Sequence, residues 1–530
     1  MTSNDQEFIN VGLSHTANHL LTQFYNIEES ILHQQRNLKD CRLSHNVNLD
    51  VKIDKLRKLA YYTPRSILFD TQNSGNYSSN WNGNNINEND IMDYEKIETS
   101  NDKINKSDFQ KNLDAGKLPK TIKQIEEEGD QEKEKEDNRD SEQPEGFNYW
   151  TDYNKFLLKP ENLLISEDWY HNNHSIDNTR IPINLPAKQQ SNDEDTYVKH
   201  FLHPESGKNE YDNKKYELWD DKLHHWLERC DNFRHFNLIS EFDTSWGYLN
   251  NELLQDIRDE FPKISLFQYS LSCEDTSKLN LSQSSKTSMF MNNIINTVEC
   301  LENVSLLLPL SYETDSNQSF DYTSQQSLVF QTINSIFDKS NDRLTTDELI
   351  RRLVFNNNSS ISQQKILSNI TVNKNIEFNH ITNFNIPNNF QHGKFKTWKL
   401  KEDDDKNNIH IFGSVDIKKS NNSSNQEVIN TYKLDKNYLN TFPTPNSFID
   451  IDQLNLSITN SKKFTNVLKY WLNYTVKNKN YLRNLLSLDS DYLDEIIEMQ
   501  HSLIKSYNLG RSYLDVDGFS ISDEEDSDFD

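Results

Sequence analysis

The stretch from Glu7 to Glu29 constrains the fold of this chain more than any other. Ile9, Val11 and Leu13 alternate with their neighbours at the two-residue period of a strand. Apolar residues then recur at helical spacing, at Ala17, Leu20, Leu21, Phe24 and Ile27. Ser14, between the two runs, is the predicted N-cap of the helix. A strand that leads directly into a helix predicts an α/β fold. Such a junction is either an anion-binding site or an ordinary structural unit, and on this stretch alone the ordinary unit is favoured.

A second informative segment, from Phe236 to Ser270, repeats this pattern. Its first residues indicate a strand, and Phe242–Gly247 indicates a loop. Leu249–Phe261 has the apolar spacing of a helix, which Pro262 ends, and Ile264–Leu271 is the next predicted strand. The segment therefore predicts a βαβ unit with parallel strands.

A third apolar run, Ile67–Phe69, predicts a buried strand that ends at Asp70. An acidic residue at the carboxyl end of a strand orients a ligand, a metal or a loop, or else simply forms a turn, and the turn is the commoner role. The same periodicities predict helices at 53–62 (short), 217–230, 291–298, 327–337, 347–355, 464–474 and 492–507, and strands at 304–310, 395–400, 409–417 and 455–459.

Composition indicates that much of the chain does not contribute to a core. Hydrophobic residues make up 34% of the 530 residues, below the ~45–50% that is typical of globular domains. Residues 71 to about 145 begin with Ser, Asn and Gly and end in dense charge of both signs, which predicts a disordered insertion. The chain closes on an acidic run, Ser520–Asp530, which predicts a disordered tail.

Charge and cysteine content narrow the classes of function. The net charge of −27 disfavours a general nucleic-acid surface and adsorption to anionic lipid. The four cysteines form no C-x-x-C pair, which disfavours a disulfide framework or a zinc ribbon and fits a reducing compartment. We find no apolar run long enough to span a membrane, and the first residues resemble neither a secretory signal nor an Arg-rich presequence.

Histidines give a weak indication of a metal site. His15 and His19 are spaced for joint ligation on one helix, but a cap or helix-surface role is favoured because no further ligand lies nearby in the sequence. A metal-dependent enzyme remains a third hypothesis, with candidate ligands at His171, His174, His224 and His225. We predict no metal site and no catalytic residue.

Several segments resemble the tubulin superfamily in the same order along the chain. Ser14–His19 followed by Phe24-Tyr25 is similar to the first tubulin loop and helix. Pro64–Asp70 is similar to the P-R-A-x-x-x-D segment, Ile257–Pro262 to I-R-E-E-Y-P, and Asn303–Ser311, more weakly, to the strand before the base contacts. The form His-x-Ala-Asn-His and the large insertion resemble the Misato family in particular.

The resemblance implies an α/β fold of the tubulin-like kind, with a Rossmann-like parallel sheet, a smaller α+β second domain and long disordered insertions. The expected divisions are a first tubulin-like segment at 5–70, the acidic insertion at 71–145, the continuation of the tubulin-like domain at 146–315, the second domain with C-terminal helices at 316–515 and the tail at 516–530.

The phosphate loop departs from the family pattern. Tubulins place G-G-G-T-G-S-G where this chain has Phe242–Tyr248, and Gly247 is the only glycine there. A Cβ at most of these positions would obstruct a phosphate nest, and Asp243 would repel an anion. We therefore expect loss of GTP hydrolysis and of GTP binding, so no cofactor is predicted. The expected remnant pocket comprises His15, Thr16, His19, Asp70, Asp243, Thr244, Ser245 and Gly247.

The resemblance implies a non-enzymatic role in partitioning mitochondria and inheriting mitochondrial DNA. We expect protein partners of the cytoskeleton or the mitochondrial surface and no direct contact with nucleic acid. The expected location is the cytoplasm and the cytosolic face of the mitochondrion. The alternative function is that of a GTP-binding, polymerising GTPase of the cytoskeleton.

Overall fold

A computed structural model describes the parts of the chain that carry the fold. These are residues 6–35, 47–54, 59–72, 74, 150–154, 156, 158–171, 184–186, 201–273, 281–312, 323–337, 344–354, 364–367, 369–372, 411–418, 455–461 and 464–508. The predicted insertion beyond Ser74, the predicted strand at 395–400 and the predicted tail at 516–530 lie outside them.

The described residues form one large, mostly parallel sheet. The strands of the first part of the chain are β1 (Glu7–Leu13), β2 (Leu49–Asp54), β3 (Leu59–Pro64), β4 (Ser66–Gln72), β5 (Leu163–His171), β6 (Asn184–Pro186), β7 (Phe233–Glu241), β8 (Ser265–Cys273) and β9 (Leu306–Tyr312). In the described part, seven of them lie in the order β6-β5-β4-β1-β7-β8-β9. All neighbours in this sheet are parallel except β5 and β6, and β2 and β3 form a separate antiparallel hairpin.

Helices follow most of these strands. They are α1 (His15–Gln35), α2 (Pro204–Tyr216), α3 (His224–Glu228), α4 (Ser245–Glu260), α5 (Gln283–Asn303), α6 (Ser324–Ser335), α7 (Thr346–Leu353), α8 (Phe464–Leu486) and α9 (Ser490–Asn508). A π-helical segment, Glu217–Leu223, joins α2 to α3. Strands β10 (Asn369–Val372), β11 (Ile411–Lys418) and β12 (Asn455–Ser461) form a second, antiparallel sheet in the order β10-β12-β11.

Both faces of the large sheet are buried, as parallel sheets require. Alternate side chains of its strands enter two different cores. One core lies with α1 and α6 and includes Phe8, Leu68, Ile239, Phe267, Phe24 and Phe330. The other lies with α2, α4 and α5 and includes Ile9, Val11, Ile67, Leu238, Leu253 and Ile294. Each fully buried side chain of this size contributes about 1.5–3 kcal/mol through removal of apolar surface from water.

The register of the strands places their carboxyl ends at one level. Leu13 of β1 pairs with Phe69 of β4 and with Ser240 of β7. The residues that come next along each strand, Asp70 and Glu241, therefore lie beside the start of α1 at the same edge of the sheet. In open parallel α/β sheets this edge is where ligands bind.

A chain of polar side chains crosses the otherwise apolar core. Asn10 Nδ2 donates to Tyr25 Oη at 2.7 Å, and Asn237 Nδ2 donates to Asn10 Oδ1 at 2.8 Å and to Asn334 Oδ1 at 3.0 Å. A ring nitrogen of His235 lies 3.0 Å from Asn237 Oδ1, and burial lowers the pKa of this histidine to about 3. These bonds join β1 and β7 to α1 and α6.

The C-terminal helices pack on the outer side of α5. Phe290 meets Tyr474 edge to face, with ring centroids 5.1 Å apart, and the hydroxyl of Tyr492 donates to Glu299. The end of α9 contacts the strand-like residue Ile366, whose carbonyl accepts a hydrogen bond from the hydroxyl of Tyr507 at 3.1 Å. The C-terminal part of the chain thus shares a core with the large sheet.

The α/β fold with a parallel sheet is confirmed. The predicted short helix at 53–62 is wrong, because those residues lie in and between β2 and β3. The error has a simple origin: from Leu49 to Asp54 apolar and charged residues alternate strictly, as they do in a strand. The predicted domain divisions remain predictions, and α6, which falls after the expected boundary at 315, packs against α1.

Some helices extend well beyond their predicted bounds. The helix predicted at 217–230 is the last part of a longer helical run that begins at Pro204 and includes the π-helical segment. In the described part of the chain, no helix combines the length and apolar character needed to cross a membrane.

Candidate functional site

The junction between β1 and α1 begins the candidate site. Ser14 has a positive φ of 130°, which is strained for a residue with a Cβ. Its hydroxyl oxygen accepts a hydrogen bond from the backbone N–H of Ala17 at 3.1 Å. The backbone N–H of Asn18 donates to the Ser14 carbonyl at 3.0 Å. Ser14 is therefore the N-cap of α1, as the sequence predicts.

Asp70 organises the loop after β4. The buried carboxylate accepts hydrogen bonds on Oδ2 from Asn18 Nδ2 at 3.0 Å and from Trp150 Nε1 at 2.9 Å. Its Oδ1 accepts from the backbone N–H of Thr71 at 2.8 Å. His15 Nδ1 lies 3.7 Å from Oδ2. Asp70 thus ties α1, β4 and the segment at Trp150 together through its side chain.

His15 and His19 form a buried pair on the first turns of α1. Their Nε2 atoms are 3.0 Å apart, and the residues are only 3% and 1% exposed. Of the two expected roles, helix surface or cap, the helix-surface role is therefore wrong, since both side chains are buried and His15 lies beside Asp70. Within the described ranges, no group of three or more His, Cys, Asp or Glu side chains is placed to hold a metal ion. His174 lies outside the described residues, as does the side chain of His171. His224 lies on the surface, with its Nδ1 3.3 Å from Oδ1 of Asp220.

Glu241, at the end of β7, is the residue of this site that the sequence did not single out. Its carboxyl group lies beside Ser14 and Thr16 at the start of α1. Burial raises its pKa, interactions with Thr16 and Ser14 oppose the rise, and the nearby Asp70 adds to it. A signal was present, because Glu241 ends an apolar strand just as Asp70 does.

Asp243 lies two residues further along the same loop. Its Oδ2 accepts a hydrogen bond from the backbone N–H of Cys273 at 3.0 Å, which ties the loop to the end of β8. Burial raises the pKa of Asp243 to about 7, and the carboxyl group of Glu241 contributes to the rise. Two buried acidic groups therefore stand side by side where the resemblance places a phosphate loop.

The backbone of the same loop caps α4. Thr244 is the N-cap, and its hydroxyl oxygen accepts from the N–H of Trp246 at 3.4 Å. The N–H of Gly247 donates to the Thr244 carbonyl at 3.2 Å. The N–H of Ser245 donates to the carbonyl of Phe201 at 3.0 Å, so the chain before α2 covers the helix N-terminus.

The side chain of Ser245 and the position of Gly247 turn away from the carboxyl edge. Ser245 Oγ donates to the carbonyl of His203 at 2.7 Å. A Cβ added at Gly247 would lie 2.5 Å from Cγ of Asn296 on α5 and closer still to its Nδ2. Gly247 is required by the close approach of two helices.

The predicted pocket residues fall into two groups. One group surrounds the start of α1 and comprises His15, Thr16, His19 and Asp70, together with Glu241. Thr244 joins it through a 3.5 Å contact between its hydroxyl and Glu241 Oε2, and Asp243 neighbours the same carboxyl group. Ser245 and Gly247 belong to the second group, against α2 and α5.

The strand order, the parallel sheet and the loop–helix junctions at its carboxyl edge define a tubulin-like α/β protein. A family model described as a tubulin domain matches residues 189–338, and one described as the Misato Segment II tubulin-like domain matches residues 6–115. In these two stretches the chain resembles the tubulin superfamily and, within it, the Misato family.

Similar curated proteins carry the name DML1. The one from Kluyveromyces lactis is 29% identical over 396 residues, covering 70% of this chain and 74% of that protein. The one from Debaryomyces hansenii is 26% identical, covering 58% and 59% of the two chains. The one from Eremothecium gossypii is 24% identical, covering 51% and 53%. The latter two alignments thus span less than two thirds of the relatives.

The described residues at the carboxyl edge do not fit the triphosphate of a guanine nucleotide. A phosphate nest needs backbone N–H groups that point outward and no acceptor among them. Here the N–H group of Ser245 already donates within the protein, to the carbonyl of Phe201. When ionised, the carboxyl groups of Glu241 and Asp243 also repel an anion.

Proposed function

We propose that this chain is a non-enzymatic tubulin-like protein that acts in the partitioning of mitochondria and the inheritance of mitochondrial DNA. The observation that carries the non-enzymatic part is the loop from Glu241 to Gly247. Four of its N–H groups, those of Phe242, Ser245, Trp246 and Gly247, donate within the protein, and Asp243 lies inside it as a buried acid. A loop of this kind is built to join β7, β8 and α4, and it leaves no cradle for a phosphate.

Catalysis of GTP hydrolysis depends on donors aimed at the charge that develops on the transferred phosphoryl group. In this loop, Glu241 and Asp243 place buried carboxyl groups instead. When ionised, the two buried carboxyl groups would repel a phosphate placed beside them. The chain therefore works through its surfaces, with proteins of the cytoskeleton or of the mitochondrial surface as partners.

The mitochondrial part of the proposal rests on the similarity to the Misato family. We place the chain in the cytoplasm and at the cytosolic face of the mitochondrion. Protease added to intact mitochondria should then digest a tagged copy of the chain while it spares a matrix marker. Protection of the tagged chain to the same degree as the marker would contradict this location.

Calorimetric titration of the purified chain with Mg²⁺ and GTP tests the loss of nucleotide binding. We expect no saturable heat at concentrations up to about 1 mM, where a dissociation constant corresponds to only ~4 kcal/mol of binding free energy. Micromolar affinity that disappears when Asp243, Thr244 and Ser245 are replaced by alanine would overturn the proposal. Glu252→Ala, on the exposed side of α4, is the matched control.

Depletion of the protein in cells tests the organelle role. Copies of mitochondrial DNA per cell should fall over successive divisions and recover when the wild-type chain is supplied. Unchanged copy number and normal distribution of mitochondria after depletion would contradict the proposal.

One observation favours the alternative of a polymerising GTPase. Two helix N-termini, those of α1 and α4, lie at the carboxyl edge of a parallel sheet, where nucleotides bind in other α/β proteins. Sedimentation separates the two functions. A polymerising GTPase pellets with GTP and not with GDP, whereas the protein proposed here sediments equally with either nucleotide.

A further inference from the structure

We propose that the outer face of the two C-terminal helices, α8 and α9, is a self-complementary surface on which a second copy of this chain docks. This surface lies apart from the loop at Asp243 on which the non-enzymatic part of the proposed function depends. The proposed function assigns no oligomeric state, so the two are independent.

The exposed side of α8 is basic. The chain has 83 acidic residues, yet residues 454–488 contain Lys and Arg and no Asp or Glu. Three basic residues of α8 are exposed: Lys469, Lys477 and Arg483. Val476 and Tyr481 of the same helix are each 50% exposed, and in the described part of the chain only one other large apolar side chain is as exposed. On a chain with a net charge of −27, α8 therefore presents a positive and partly apolar surface.

The exposed side of α9 carries the opposite charge. Its exposed acids all lie in the first half of the helix: Asp491, Asp494, Glu495 and Glu498. The turn between the two helices is short, with Ser487 at a positive φ of 54°, and the helices form an antiparallel pair. A basic stripe and an acidic stripe thus lie side by side, and the opposite side of the pair packs on α5.

An ion pair fixes the level of one helix against the other. Lys479 Nζ of α8 contacts Asp494 Oδ1 of α9. Arg483 lies four residues nearer the turn than Lys479, and four residues nearer the turn on α9 is Ser490, beside Asp491. Two residues in the other direction, Lys477 is level with the residue after Glu495. Bases of α8 and acids of α9 are therefore matched in height.

A two-fold rotation about an axis parallel to both helices keeps these heights and exchanges the stripes. It places α8 of the second copy on α9 of the first, and α9 on α8, so that Arg483 faces Asp491 of the other copy at two equivalent places. The paired helices are about 20 Å wide and, at about 1.5 Å per residue, ~35 Å long for the 23 residues of α8. Such a dimer buries about 1,400 Å² in all, within the ~1,200–2,000 Å² of stable interfaces.

A second copy fits this face better than an acidic peptide does. Paired helices are about 8–10 Å apart, so an acidic segment on α8 would run within about one Debye length of the acids of α9. The second copy supplies an acidic stripe for α8 and a basic stripe for α9 at once. The contact also closes on itself, so it forms dimers and no filament.

Sedimentation equilibrium of the full chain and of two charge-reversal variants tests the proposal. We expect the wild type to dimerise, and Arg483→Glu and Asp491→Lys each to raise the Kd of the dimer about tenfold or more, because like charges then meet at both equivalent places. An equimolar mixture of the two variants should recover the wild-type Kd. In the mixed dimer the new acid of one copy faces the new base of the other, and native Arg483 faces native Asp491 at the second place.

Matched controls separate this contact from a general effect of net charge. Lys263→Glu and Asp259→Lys reverse exposed charges at the end of α4 and should leave the Kd unchanged. A wild-type chain that stays monomeric at about 50 μM would overturn the proposal, and so would a mixture as weak as its component variants. A monomeric wild type that binds a poly-glutamate peptide through Arg483 would assign the face to an acidic partner instead.

Salt dependence supplies a measurement that needs no variant. Raising sodium chloride from about 50 to about 500 mM should raise the Kd of the wild-type dimer about tenfold, because the facing charges are exposed at the rim of the contact. A Kd that does not change with salt would refute the pairing of the stripes. Neither result depends on the titration with GTP, so failure of this inference and failure of the proposed function are told apart.

Discussion

Replacement of Gly247 by alanine distinguishes a packing role from a phosphate-binding role at this position. The added methyl group would lie 2.5 Å from Cγ and 3.0 Å from Cβ of Asn296. Asn296 cannot move without loss, because its Nδ2 donates to the carbonyl of Phe242 at 2.9 Å and its Oδ1 accepts from Asn251 at 3.2 Å. The substitution therefore acts on the contact between α4 and α5.

The expected loss of stability has three contributions. Overpacking costs about 1–3 kcal/mol. Displacement of Asn296 leaves the buried carbonyl of Phe242 without its partner, which costs about 1–3 kcal/mol. Alanine is the better residue for a helix and returns ~1 kcal/mol. Together these give a decrease of about 1–5 kcal/mol in the free energy of unfolding.

A double-mutant cycle measured by urea unfolding checks this reasoning. Asn296→Ala alone loses the hydrogen bonds but opens space for the methyl group. The double variant should then be about as stable as Asn296→Ala, with a coupling energy close to the whole cost of Gly247→Ala. Strict additivity of the two substitutions would show that the methyl group does not clash with Asn296, and would refute the packing role.

Three further predictions concern the candidate site and the core. Asp243 has a folded-state pKa raised to about 7, above its ordinary value of 3.8, so stability is lost as the pH rises between these values. Asp243→Asn should therefore raise the Tm above that of the wild type, and by more at pH 8 than at pH 5. A Tm of the variant below that of the wild type at pH 8 would contradict this. His235 has a folded-state pKa lowered to about 3 from 6.5, so stability is lost as the pH falls below about 6.5. His235→Gln should flatten the dependence of Tm on pH between 4 and 7. An unchanged slope of Tm against pH would contradict this. Ser14→Gly should be more stable than Ser14→Ala by about 1–2 kcal/mol, because both lose the hydroxyl and only glycine adopts a φ of 130° freely. Chemical denaturation of the two variants measures this difference. Equal stability would show that the backbone strain at Ser14 is absent.

The parts of the fold that the sequence predicts are those set by local periodicity. The unit β7–α4–β8 follows from apolar spacing and from Pro262, and the structure confirms it. The helix α2 gives no such signal, since its residues are almost all polar and only the proline in its first turn marks its start. Its stability comes from packing on α4, which sequence periodicity does not report.

The candidate site shows the same division between local and tertiary information. Asp70 was identified because it ends an apolar strand, and its buried hydrogen bonds agree with a role in organising the loop. Glu241 ends a strand in the same way, but Ser14 and Thr16, which lie beside it in the fold, are more than 220 residues away in the sequence. Only the register of β1 against β7 brings them together.

The polar chain through Asn10, Asn237 and Asn334 has a consequence for how related chains diverge. Each amide is the partner of the next, so an apolar replacement at one position leaves a buried group stranded at a cost of about 1–3 kcal/mol. Asn10 lies in the stretch matched by one family model, and Asn237 and Asn334 lie in the stretch matched by the other. Across relatives, these three positions should therefore be inherited as a set, either all retained or exchanged jointly.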